Sequence, residues 1–218
     1  MSPSPVAVID DRERLIARAQ RLEYLTIAWN ALEALAAVVS GILAGSIALV
    51  GFGLDSVIEA FSGAALLWRL RQDHDPERRA QAERTALRLV GFCFVVLAMV
   101  VAEKATHAVI RRKHPAESVV GIAVAGAALI VMPLLAHAKR RVAGAIKSGA
   151  LHADSRQSEI CAYLSLILLG GLLLNALHGW WWADPMAALA MAPIIGKEGI
   201  EALRGAKNVP RFRLRVPR

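Results

Sequence analysis

The chain has 218 residues, 56% of them hydrophobic and 20% charged, with a formal net charge of +8. Its mean hydropathy of +0.45 argues against an ordinary soluble domain. The basic residues gather at the ends of apolar runs, so the charge reads as membrane topology and not as a nucleic-acid footprint.

Met1 to Gln20 form a polar arm without the apolar centre of a signal peptide, so no cleavable leader is expected. A membrane span needs about 20 apolar residues, and six such stretches follow. The first, Tyr24 to Ser46, holds Asn30 and Glu33 and has Gly41 and Gly45 at a spacing that suits close helix packing. The second, Ala48 to Leu70, contains Asp55 and Glu59. A spacing of four puts both carboxylates on one helix face. An ionised carboxylate in hydrocarbon costs roughly 2.5 to 3.5 kcal/mol, so the pair must face a cavity, a partner or a cation. A cation path is favoured over a structural pair satisfied by hydroxyls or an arginine.

Asp73-His74-Asp75 lies in the next loop, where it either gathers metal or forms a polar turn ending at Pro76. The third span, Ala86 to Ile110, carries Glu103, Lys104 and His107 near its end, as solvated charges or an outer vestibule. The fourth, Ser118 to Ala138, is expected to kink at Pro133. Lys139, Arg140, Arg141 and Lys147 then read as loop charges. The fifth, from about Ala150 to His178, opens with His152, Asp154, Ser155, Arg156, Gln157, Ser158 and Glu159, followed by Cys161 and Asn175. The sixth, Trp181 to Leu203, is interrupted by Pro185, Pro193 and Lys197-Glu198. The two cysteines, Cys93 and Cys161, both lie within spans and form no disulfide framework.

The fold class is thus an all-α bundle of six transmembrane helices. Its parts are an arm (1–20), the membrane domain (21–204) and a short basic tail (205–218). Lys and Arg crowd the arm, the second and fourth connections and the tail, which places both termini in the cytoplasm. Trp180-Trp181-Trp182 fits an anchor at the outer interface.

Asn30 through Gly63, with Ser40 to Val50 followed by Asp55 and Glu59, resembles the first two helices of the cation diffusion facilitator family. Ala183-Asp184-Pro185 resembles the start of that family's sixth helix. The resemblance implies six membrane helices and a transport site. That site takes a His or Asp, then an Asp four residues later, from each of helices two and five. Asp55 and Glu59 match the helix-two positions, with Glu for the usual Asp. On helix five, one register offers Ser155 and Glu159, with His152 a turn earlier. A shifted register offers Asp154 or Cys161. Glu33 either lines the path or hydrogen-bonds across the bundle.

The resemblance further implies export of a divalent cation from the cytoplasm against inward protons. Carboxylates that bind metal must release protons, so both ions compete for one site. The donors lean toward manganese, iron(II) or magnesium, with zinc open through His152 or Cys161. The expected ligands are Asp55, Glu59, Asp154, Ser155, Glu159 and Glu33, and the metal is cargo, not a resident cofactor. The expected setting is a bacterial plasma membrane, with lipid around the bundle. Roughly 15 residues after the sixth span are too few for a domain. The family's cytoplasmic metal-binding and dimerisation domain is therefore not expected, although helix packing still allows a homodimer. No Walker A loop and no His-Glu-x-x-His occur, so neither a primary pump nor an enzyme is expected. The alternative is a non-transporting relative that senses metal or binds a partner.

Overall fold

The computed structural model describes residues 5–71, 76–146 and 148–209. Among them are six helices and no strand: α1 (Pro5–Ala44), α2 (Ile47–Arg71), α3 (Pro76–Ile110), α4 (Val119–Ile146), α5 (Gly149–His178) and α6 (Ala183–Asn208). Stretches of α1 to α5 are long and apolar enough to cross a membrane. The sixth has the length, at 26 residues, but Asp184, Lys197, Glu198, Glu201 and Arg204 lower its hydropathy. Residues 73–75 lie outside the described residues. The expected arm is helical from Pro5 onward, in continuity with α1.

Local chemistry sets the helix ends. After α1, Gly45 adopts φ +68°, a left-handed conformation that suits glycine. Ser46 then caps α2 by accepting from Leu49 N at 3.0 Å. Ser118 caps α4 through Gly121 N at 3.0 Å, and Ser148 caps α5 through Leu151 N at 3.3 Å. Gly179, at φ +64°, ends α5 by donating to Asn175 O.

The helices pack as pairs, α1 with α2, α3 with α6 and α4 with α5. Glycine allows two of these approaches. A Cβ at Gly53 would lie 2.9 Å from Val38 N, and one at Gly199 would lie 2.8 Å from Gly91 O. The expected Gly41–Gly45 packing face is half right. Gly41 does meet α2 at Val50, but Gly45 touches nothing and serves the turn.

Phe52, Leu49, Met132, Leu164, Leu168, Met191 and Ile195 form the dry centre. Large apolar side chains also cover the outside, among them Leu43, Phe61, Phe92, Val119, Ile130 and Leu177. An apolar exterior around a bundle holding buried charges is the arrangement a bilayer favours. The fourth helix differs from expectation. It runs unbroken past Pro133 to Ile146, so Lys139 is a helix residue and fully buried. A hydropathy reading ends a span at a lysine, whereas two buried carboxylates hold this one inside.

Candidate functional site

Three helices turn polar faces toward the same interior. On α1 the face is Glu23, Thr26, Asn30 and Glu33; on α2 it is Asp55, Ser56 and Glu59. On α5 it is Asp154, Ser155, Ser158, Cys161 and Ser165, and every one of these residues is buried. Most of the spacings are three, four or seven, those of a helical stripe, which Asp55–Ser56 and Asp154–Ser155 widen by one position.

Glu33 ties the stripes together. It accepts hydrogen bonds from Trp29 Nε1, from Ser56 Oγ at 2.8 Å and from Cys161 Sγ at 3.8 Å. Glu59 accepts from Ser158 Oγ at 3.1 Å, while its Oε2 is buried without a hydrogen-bond partner. Both polar atoms of the Asn30 side chain are likewise unpartnered. Leaving a buried polar group unpaired costs about 1–3 kcal/mol; Glu59 Oε2 and Asn30 Oδ1 are open to a donor or a cation, and Asn30 Nδ2 to an acceptor. Asp55 lies within electrostatic reach of Glu59, Glu33 and Glu198, and Cys161 within reach of all three site acids.

One turn further along, Lys139 of α4 sits between Glu23 and Asp154. Its Nζ is 3.4 Å from Glu23 and forms an ion pair with Asp154. The lysine and glutamate side chains are fully buried, and Asp154 is 7% exposed. Ser155 is buried, but its hydroxyl donates to the carbonyl of His152. Glu159 stands apart, about 40% exposed and paired with Arg140. The structure therefore brings together Glu33, Asp55 and Glu59, sets Asp154 nearby against Lys139, and leaves Glu159 on the outer face. Among the described residues, no three His, Cys, Asp or Glu side chains converge tightly enough to hold a metal ion in this conformation.

A cleft of about 550 Å³ meets this interior at Asp154. It lies between the ends of α2 and α6 and the beginnings of α3 and α5, on the face where α6 ends, and Val209 lines it. Asp154, Gln157, Glu198 and Glu201 give it polar walls, and Ser62 lies one turn beyond Glu59.

Sequence reasoning missed Ser56, Ser158 and Lys139. The serines share the helix faces of Glu59, Asp55 and Cys161, a signal that was present but weak. The clue for Lys139 was Glu23, seven residues before Asn30 on the same face. Asp184 has a structural part: it accepts from Ser46 Oγ and from Ile47 N at 3.0 Å, anchoring the start of α2. Glu103 and His107 form an exposed pair at the end of α3.

Residues 24–207 match the family model described as the cation efflux transmembrane domain. Transmembrane protein 163 of Xenopus laevis is 27% identical over 88% of this chain and 68% of its own length. An uncharacterised transporter of Synechocystis, sll1263, is 25% identical over 74% of this chain, which spans 54% of that protein. The cation-efflux pump FieF of Shewanella oneidensis is 30% identical over 37% of this chain and 27% of its own length.

Proposed function

The chain belongs to the cation efflux family, and on that premise we propose that it is a secondary transporter exporting divalent metal cations from the cytoplasm in exchange for protons. One observation carries this reading. Three acidic side chains, Glu33, Asp55 and Glu59, are buried on adjacent helices of a membrane bundle, and Asp154, an electrostatic neighbour of Glu59, lines an open cleft. Acids in that position stand for an ion pathway by default.

The physical steps follow from charge. Without a cation, bound protons neutralise the crowded acids and spare them mutual repulsion. A divalent ion arriving through the cleft draws Asp55 and Glu59 together, with Glu33 and Asp154 completing an oxygen-rich shell. Protons leave the carboxylates as metal binds and return as it is released. With both termini cytoplasmic, as the Lys and Arg distribution indicates, the cleft opens to the cytoplasm and this conformation is ready to load. Mostly carboxylate donors favour manganese or iron(II), and Cys161 leaves room for zinc. Serine hydroxyls, including Ser158 and Ser56, orient the acids.

A second reading is a non-transporting relative that senses metal or binds a partner. The ion pair of Asp154 with Lys139 and the outward position of Glu159 favour it. Flux of manganese, zinc and iron(II) into proteoliposomes under a pH gradient separates the two. Transport lost in Asp55→Asn/Glu59→Gln supports the first, and binding without flux supports the second.

A further inference from the structure

Lys139 is a fully buried charge in a membrane bundle. An ammonium taken out of water loses several kcal/mol even after relaxation. A buried ion pair is often no more stabilising than well-packed apolar side chains of the same volume. Stability alone is thus a weak reason to keep a lysine there.

Its surroundings suggest another. Lys139 touches acids from two other helices, Glu23 of α1 and Asp154 of α5. Asp154 also lines the cleft. The same ammonium acts electrostatically on Glu59, whose Oε2 has no hydrogen-bond partner. One tethered cation is therefore shared among Glu23 and two carboxylates that the cargo would need, Asp154 and Glu59.

We propose that Lys139 is a tethered cation that competes with the transported divalent ion for Asp154. The proposal rests on the transport reading above. In the empty carrier the ammonium pairs with Asp154 and keeps that part of the bundle near neutral. An incoming divalent ion outbids a single positive charge at Asp154 and Glu59, and the ammonium shifts onto Glu23, already 3.4 Å away. When the bundle reorients, the lysine swings back to Asp154 and weakens the hold on the metal. It thereby speeds release and returns the carrier with its charge balanced. Lys139 is a positioning residue that acts through Asp154, and it never touches the metal.

The test uses the full-length purified protein, with manganese(II) and zinc(II) binding titrations beside proteoliposome flux. Lys139→Met removes the competitor. Affinity for at least one ion should rise about tenfold or more, a Kd change of about 1.4 kcal/mol, while turnover falls. A merely structural lysine would not move affinity and turnover in opposite directions. Unchanged or weaker binding by folded Lys139→Met, with the native protein still transporting, overturns the proposal and leaves the transport reading standing. A native protein that binds neither ion overturns both. Should Lys139→Met fail to fold, Asp154→Asn decides, because it keeps a one-to-one pair of Lys139 with Glu23. That variant should bind metal about tenfold more weakly or worse, and native affinity in it overturns the proposal.

Discussion

Asp55 and Glu59 have almost no access to solvent, so any ion they hold is held at low dielectric, where each charge-assisted contact matters. Removing either charge should weaken metal binding by about 1.5–3 kcal/mol, roughly 10- to 150-fold; titration of Asp55→Asn and Glu59→Gln with manganese and zinc checks this. The two acids were legible in the sequence because a carboxylate in an apolar run of spanning length has few explanations. Helix five was not legible in the same way. Ser158 and Glu159 are neighbours, yet the helix turns them about 100° apart: Ser158 meets Glu59, and Glu159 meets Arg140. With His152, Asp154, Ser155, Glu159 and Cys161 within ten residues, no spacing rule selects one face.

Element by element, glycine and a borrowed cap set the geometry that brings the polar faces together. Gly91 and Gly199 let α3 and α6 cross with backbone nearly in contact. A leucine at position 199 should cost about 1–3 kcal/mol through overpacking, read as lost thermal stability in detergent. Asp184 joins the first turn of α6 to that of α2. Replacing it with alanine should cost about 1–2 kcal/mol while leaving the ligand set intact, so stability should fall further than metal affinity in the same titration. Five of the six helices were readable from hydropathy, whereas helix ends were not. The fourth helix carries Lys139 to the interior because acids on α1 and α5 wait for it, and those partners lie 116 and 15 residues away in sequence. Likewise Gly45 belongs to a turn, which only its positive φ reveals.

For the whole molecule, the helices pack in pairs and the cleft opens on the face where α6 ends. With that face cytoplasmic, a cysteine placed at Ser62 should react with a membrane-impermeant thiol reagent from the cytoplasmic side, and saturating metal should slow the reaction. Metal binding must also weaken as pH falls, because protonated carboxylates are lost as ligands and ligation releases protons. Affinity measured across an acidic to neutral series should rise with pH, and a flat profile would remove the carboxylates from the site. In the proposed function the buried acids of α2 carry a divalent cation across the membrane. Its most direct test is metal flux in proteoliposomes with an imposed pH gradient, comparing the native chain with Asp55→Asn/Glu59→Gln. The expected result is gradient-driven flux of at least one of manganese, zinc or iron(II), abolished in the double variant. Equal flux in the two proteins, or none in correctly folded native protein inserted in both orientations, would contradict it.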